Sequence, residues 1–456
     1  MRVIKDFNEL KSFLALRRDD SRDVSDVVNG IISDVRLNGD TAVIKYTEKF
    51  DKVRFGDAGE MKVMPEEIEE AYKKVAPELI EVIRRAANNI EDFHRHQTAE
   101  SFIYEKAPGI KLGTLRKPLK TAGAYVPAGT APLPSSVLMN VIPAKVAGVR
   151  KVIITTPPPI NPAILVAADI AGADEIYKVG GAQAVAAMAF GTQTIPQADK
   201  ITGPGNVFVA TAKKLIYGQC NIDMVAGPSE ILIIADKDAK AEYLAADMLS
   251  QAEHDKLASS ILILTDESLL AGVVSELEQQ LTGLLRQEIA RESLDNYGAV
   301  MVVKNIDEAI DAANMIAPEH LELCINDAES YLDRIENAGA VFLGNYTPEP
   351  IGDYYAGPNH ILPTNGTARF YSPLNVWDFI KQISVIKYDR EALLRDADDV
   401  IAFAEAEGLG AHANSVKVRK ELSGSVSHGA RTKRTEELSG RVSHSARTKR
   451  TEERRS

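Results

Sequence analysis

Apolar residues in the first hundred positions recur every three or four places between charged ones. Two segments, 24–50 and 65–96, carry this spacing with few internal breakers and are predicted to be helices. Beyond Lys111 the texture changes to short β-branched runs: VRKVIITT around Lys151, EIYKV around Ile176, EILIIAD around Ile231, SILILTD around Ile261, AVMVV around Val300, HLELCI around Leu321 and AVFLG around Val341. Helical patterns at 162–171, 182–190, 206–217 and 239–251 separate several of them. Strands that are apolar throughout, alternating with helices, predict parallel sheets covered on both faces. Seven such strands are more than one small sheet holds, so two α/β units are expected. The pattern does not give the strand order.

The chain has 456 residues, which suits two or three domains. It contains no apolar run of the roughly 18 residues that a membrane helix needs, so no membrane partner is expected. The start, MRVIKDFNELKSFL, mixes charges with apolar residues and does not read as a secretory leader. Two cysteines, Cys220 and Cys324, cannot frame a disulfide scaffold in so long a chain. They read as small buried hydrophobes, and a cytoplasmic setting is expected. The net charge is −12, unevenly spread: from Glu421 on there are nine Lys or Arg and five Glu, leaving −16 for the body. So acidic a body argues against nucleic acid as a partner. The basic end is a tandem repeat, ELSGSVSHGARTKRTE followed by ELSGRVSHSARTKRTE, with fourteen of sixteen positions identical. Two polar copies cannot bury a shared core, so a disordered tail over 421–456 is expected, with weak contact to anionic surfaces as the sharper alternative.

Three stretches have the look of ligand loops. GPGN, from Gly203 to Asn206, precedes a helical pattern and could turn backbone N–H groups towards a phosphate. It does not complete G-x-G-x-x-G, because Phe208 occupies the last glycine's place, and a plain turn with a helix cap fits it as well. Gly180-Gly181 repeats the arrangement ahead of Gln183. AYVPAGTAPLPSS, beginning at Ala124, reads as a long loop beside Tyr125, either functional or a connector.

Histidines are more informative. His94 and His96 close a charged helix and read as solvent-facing or as complements to the charge of its C-terminal end. Four others lie in polar or carboxylate-rich surroundings: QAEHD (His254), APEHLEL (His320), GDYYAGPNH (His360) and EGLGAHANS (His412). Each alone is as well explained as a hydrogen-bonded structural histidine. Together they favour a metal or acid–base site. Gln251 and His254 share a helix face at i, i+3, and His412, Glu407 and Asp353 could add a nitrogen and two oxygens, a set that suits Zn²⁺. The spacing matches no zinc-finger or H-E-x-x-H pattern, so the residues alone leave the metal open. Glu319 beside His320 pairs a carboxylate with the side chain best suited to proton transfer near neutral pH. Pro318 biases Ala317 away from helix, as in a loop entering a strand.

Taken together and in order, GPGNVFVATAK, DMVAGPSEILIIAD, SQAEHD, IAPEHLEL, IGDYYAGPNHILPTNGTARFYSPL and AEGLGAHANSV closely resemble the histidinol dehydrogenase family, over about residues 19–420. The tandem tail departs from that pattern. The resemblance implies an α/β fold of two incomplete Rossmann-like parallel-sheet domains with small helical N- and C-terminal elements. It divides the chain into an N-terminal arm (1–20), a first α/β domain (21–118 plus 229–380), a second, cofactor-contacting α/β domain (119–228), a dimer-contacting segment (381–420) and the tail. It also implies one Zn²⁺ per subunit on Gln251, His254, Asp353 and His412, and substrate contacts from Ser229, Gln251, His254, His320, Asp353, Glu407 and His412. NAD⁺ would touch Tyr125, Gln183 and Asn206, and the catalytic pair would be Glu319 and His320. The family's homodimer completes each site across the interface. The expected reaction is oxidation of histidinol through the aldehyde to histidine with two NAD⁺. Oxidation of another small alcohol, such as a sulfonated diol, is the alternative, and a metal-binding protein that has lost catalysis is a third reading.

Overall fold

Strands such as Lys151–Thr155, Glu230–Ala235 and Ser259–Leu264 carry apolar side chains on both faces, because the computed structural model covers the two large sheets with helices on both sides. The structure describes residues 1–19, 23–128 and 132–432. In chain order the strands are β1 (Arg2–Ile4), β2 (Phe102–Ala107), β3 (Ile110–Pro118), β4 (Thr121–Tyr125), β5 (Lys151–Thr155), β6 (Glu175–Tyr177), β7 (Lys200–Thr202), β8 (Asn221–Ile222), β9 (Glu230–Ala235), β10 (Ser259–Leu264), β11 (Ala299–Val302), β12 (His320–Cys324), β13 (Ala340–Leu343) and β14 (Ile380–Tyr388). The helices are α1 (Phe7–Asp19), α2 (Ser25–Asn38), α3 (Asp40–Asp51), α4 (Pro65–Lys74), α5 (Pro77–Arg95), α6 (Pro134–Val146), α7 (Pro162–Ala171), α8 (Gly181–Phe190), α9 (Val207–Ile216), α10 (Ala241–Ala252), α11 (Leu270–Leu281), α12 (Gln287–Tyr297), α13 (Ile306–Ile316), α14 (Glu349–Tyr354), α15 (Arg390–Ala406) and α16 (Gly410–Thr432).

The chain forms two compact units, Met1–Ala99 with Lys117–Lys381, and Glu100–Arg116 with the chain from Gln382 on. The first unit holds both large sheets. One has the order β6-β5-β4-β7-β8 and the other β1-β11-β10-β9-β12-β13, and their neighbouring strands pair in parallel. In each, the chain steps outward through three strands, returns past the first, and adds two on the other side. This is the Rossmann-like arrangement, and the reversal falls between β4 and β7 in one sheet and between β9 and β12 in the other. Side chains alternate between layers as the pleat demands. Ile231 and Ile233 of β9 pack into one core with α10 and α11, while Leu232 and Ile234 pack into the opposite core with α13. In the five-stranded sheet, Val152 and Ile154 of β5 join the core of α4–α7, whereas Ile153 joins that of α2, α8 and α9.

All seven strands expected from β-branched runs are present. Those the pattern did not reveal are short, like β7 and β8, largely exposed or half-buried and mixed with polar residues, like β2, β3 and β14, or built of small residues, like β4, whose Gly123 leaves room for Met188 Sδ only 2.6 Å from where a Cβ would stand. The stretch read as one long loop from Ala124 is the end of β4, a connection partly outside the described residues, and the first turn of α6. His94 is not solvent-facing: it is fully buried, with Nδ1 2.7 Å from the Ile90 carbonyl, while His96 is exposed. Both cysteines are buried, and burial pushes the Cys220 thiol up to about 12.

The second unit consists chiefly of a small sheet, β14-β3-β2, with β2 and β3 antiparallel, and of α15 packed on α16. Helix α16 runs to Thr432 and so takes in the beginning of the first repeat. Residues 433–456, where most of the expected disordered tail falls, lie outside the described residues.

One close approach sets the entry to β12. Gly339, just before β13, donates its N–H to Pro318 O at 2.9 Å, and a Cβ there would stand 2.5 Å from the Glu319 carbonyl oxygen. Since that oxygen belongs to the backbone, Gly339→Ala should destabilise the fold by about 1–3 kcal/mol, as overpacking does. Urea unfolding followed by circular dichroism measures it, and an unchanged midpoint would contradict this account.

Candidate functional site

Ligands of open α/β sheets bind beyond the carboxyl ends of the strands where the order reverses. In the five-stranded sheet that place lies beyond β4 and β7, and the three residues assigned to the cofactor lie there. Tyr125 ends β4, and its phenol oxygen accepts the N–H of Gly181 at 3.1 Å. Burial pushes that phenol up to about 12, so it stays protonated. Gln183, in the first turn of α8, is 1% exposed, and neither its carboxamide oxygen nor its nitrogen has a partner among the described residues. An unpaired buried amide is costly unless a ligand completes it. Asn206 caps α9, accepting the N–H groups of Phe208 and Val209 at 3.1 and 3.2 Å. The corresponding crevice of the six-stranded sheet is stitched shut. Asn326 donates its N–H to Asp236 at 2.7 Å and its Nδ2–H to Asp238 at 2.6 Å across the reversal, and these carboxylates would repel a pyrophosphate.

The acid–base residues occupy the opposite, amino-terminal edge of that sheet. Helix α13 closes on Ala317, which is left-handed at φ 52° where a strand-like conformation was expected ahead of Pro318, and the chain then enters β12. Glu319 is buried and accepts the Glu230 N–H at 2.8 Å. The neighbouring His320 sets Nδ1 2.9 Å from the Glu230 carbonyl oxygen. A carbonyl cannot donate, so Nδ1 carries the proton and Nε2 is left to do chemistry. Nε2 is buried without a hydrogen bond, 3.7 Å from Asp353 Oδ1 and 3.8 Å from Glu349 Oε1.

Near this imidazole stand two of the groups the sequence proposed as ligands, His254 and Asp353. Gln251 lies in the last turn of α10, and His254 follows it, with its N–H on the Gln251 carbonyl at 3.2 Å. Gln251 is 1% exposed with both carboxamide atoms unpaired, a second open amide. His254, Asp353 and Glu349 can bring a ring nitrogen and two carboxylate oxygens within 4.8 Å of one another. Ser229, just ahead of β9, is half-buried, with its carbonyl on Ser259 N at 3.0 Å. His360 holds the turn after α14, with Nδ1 2.9 Å from the Asp353 carbonyl oxygen and Nε2 3.4 Å from Ser136 Oγ. Glu407 and His412 belong to the second unit, at the end of α15 and in the first turn of α16, where both are exposed.

The electrostatics are dominated by carboxylates crowded out of water. Burial pushes Glu319 and Glu349 each up to about 8. Burial alone would lower His320, yet Glu319, Asp353 and Glu349 together raise it to about 10, so among bare carboxylates Nε2 carries a proton as well, and a cation that offset their charge would free it as a base. Burial likewise opposes the charge on Asp353, but the His320 and His360 imidazoles hold it well below the usual carboxylate range. Such a cluster has an excess of negative charge that a divalent cation would balance. The donor set of imidazole, carboxylate and an unpaired amide oxygen suits zinc.

Sequence reasoning missed Glu349, the Glu230 backbone and Glu322. Glu322 follows His320 by two places in the same strand and so faces the same side, which the strand period could have revealed. Its Oε1 accepts the Glu349 N–H at 2.7 Å, tying the start of α14 to β12.

Residues 15–420 match the family model described as histidinol dehydrogenase. A histidinol dehydrogenase of Clostridium acetobutylicum is 51% identical, covering 92% of this chain and 99% of its own length. One from Carboxydothermus hydrogenoformans is 50% identical, with the same coverage. The crystal structure of histidinol dehydrogenase from Elizabethkingia anophelis superposes with a TM-score of 0.87 at 42% identity, over 93% of this chain and 99% of that one. With its two Rossmann-like sheets, a partnerless Gln183 on one and the Glu319–His320 pair on the other, the chain belongs to the histidinol dehydrogenase family.

Proposed function

We propose that this protein oxidises L-histidinol through L-histidinal to L-histidine, using two NAD⁺, in the last steps of histidine biosynthesis in the cytoplasm. The observation that carries this reading is the pair Glu319 and His320, both anchored on the Glu230 backbone with His320 Nε2 free among carboxylates. Gln251, His254, Asp353 and His412 would hold one zinc per subunit. Zinc, when bound, supplies positive charge and a fixed seat for the substrate's imidazole and amino nitrogens. Ser229, Glu407 and His412 add substrate contacts, and Tyr125, Gln183 and Asn206 receive NAD⁺, which accepts the hydride.

Converting an alcohol to a carboxylic acid removes four electrons, hence two hydrides and two NAD⁺. In the first oxidation His320 Nε2 takes the hydroxyl proton as the carbon gives up hydride. In the second, water adds to the aldehyde carbon, and Glu319, whose basicity burial has raised, takes the proton it sheds. His320 then deprotonates the resulting diol as the second hydride leaves. A homodimer, in which the C-terminal segment of one copy completes the other's site, is supported by the second unit. It carries Glu407 and His412, and it exposes Phe102, Ile103 and Tyr104 of β2 and Ile386 of β14.

Complete turnover should yield two NADH per histidine. Glu319→Gln should slow single-turnover NADH formation from histidinal about 10²-fold or more, and far less from histidinol, because it removes a general base needed in the second half alone. His320→Asn should impair both. Equal slowing of the two halves by Glu319→Gln would take the water-activating role away from Glu319. One NADH per product would refute the four-electron reading itself.

Removing the metal with a chelator should abolish turnover while leaving NAD⁺ binding nearly intact, because the two proposed ligand sets share no residue. His254→Ala should behave in the same way, and metal analysis should show depleted zinc. Undiminished histidinol oxidation by the stripped protein would overturn the zinc assignment.

A further inference from the structure

The turn between β7 and α9 is held by a buried ion pair that the reaction scheme does not use. Lys213, on α9, and Asp223, just after β8, form a salt bridge with side chains 2% and 1% exposed. Lys213 Nζ also donates to the Gly203 carbonyl at 2.8 Å. Asp223 Oδ2 accepts the Gly203 N–H at 2.8 Å, and its Oδ1 accepts the Met224 N–H at 2.6 Å. Both backbone groups of one glycine are thus gripped by opposite ends of a single ion pair. Gly203 sits at φ 109°, where a side chain is strained, and a Cβ would stand 2.1 Å from the Tyr125 carbonyl oxygen. The grip presses the turn against the end of β4, three residues ahead of the Asn206 cap.

Burying two charges rarely stabilises a fold more than an apolar pair of the same size would. Specificity of conformation is the better attested return, and here the group being fixed is the peptide that sets the direction of the Gly203–Asn206 turn. We infer that Lys213 and Asp223 are positioning residues for the dinucleotide. Without touching it, they hold the turn that brings Asn206 and the start of α9 to Tyr125. This rests on the proposal that NAD⁺ binds beyond β4 and β7.

The test uses zinc-loaded, full-length protein, with NAD⁺ affinity by calorimetric titration and KM for histidinol measured alongside. Lys213→Met alone would strand a buried carboxylate and endanger folding, so the main variant is Lys213→Met/Asp223→Asn, which removes both charges together. Its Kd for NAD⁺ should rise about tenfold, the loss of one hydrogen bond from a charged donor. The histidinol KM and zinc content should not move. Lys213→Gln/Asp223→Asn, keeping a neutral donor at residue 213 with no buried charge stranded, guards against misfolding of the first double variant and should fall between it and the parent. Either variant, folded and binding NAD⁺ like the parent, would reduce the pair to a structural role and overturn the inference. Asn206→Ala separates the two layers of the argument. If it weakens NAD⁺ binding while the ion-pair variants do not, the clamp alone is wrong. If it too binds normally, the proposed cofactor seat fails, and the inference fails with it.

Discussion

The proposed catalytic edge depends on one peptide. The N–H of Glu230 holds the Glu319 carboxylate, and its carbonyl oxygen holds His320 Nδ1. Glu230 is the first residue of β9, and parallel pairing sets Ile231 opposite His320, so the register of two central strands fixes the acid–base pair. The Glu230 side chain reaches further, accepting the Asn365 N–H at 2.9 Å and fastening the segment beyond α14 to the same strand. A slip of one residue between β9 and β12 would turn His320 towards α13 and bury an aliphatic side chain in its place. The apolar alternation that builds the two cores therefore also locks the imidazole tautomer.

Charge is the second organising constraint. Glu319, Glu322, Glu349 and Asp353 come from β12, its approach and α14, and all are withdrawn from water. Their mutual repulsion is relieved by protonation, by His320 and by backbone N–H groups. A cation introduced among them changes that balance and releases protons, so metal affinity and basicity at His320 are parts of one equilibrium. The N–H of Glu349 on Glu322 keeps α14 in place while that balance shifts.

Much of this was legible in the chain. Long apolar runs announced the central strands, because burial on both faces leaves nothing else to read there. Gln251 lies on a helix as expected, but α10 ends at Ala252 and His254 falls in the turn beyond it, so they do not share a helix face; the adjacent Glu319 and His320 suggested proton transfer. Other features could not be read. Strand β4 is made of small residues whose task is to let Met188 approach, a demand with no hydrophobic signature. His94 ends a charged helix in sequence yet is covered by packing that the local pattern does not encode. The placement of chemistry at the amino-terminal edge of one sheet and of glycine turns at the carboxyl-terminal edge of the other is a tertiary fact. Motif spacing gives no hint of it.

The stitched crevice of the six-stranded sheet has a kinetic consequence. With Asp236 and Asp238 bonded to Asn326, the proposed reaction has one dinucleotide seat, that beyond β4 and β7, in place of two. On the proposed reaction, spent nucleotide has to depart and a fresh molecule arrive between the two hydride losses. The aldehyde must therefore outlast a full exchange of nucleotide, and its residence time at the catalytic edge becomes the quantity selection acts upon. Separate anchorage on separate sheets permits this, because the nucleotide can come and go without loosening the groups that hold the intermediate.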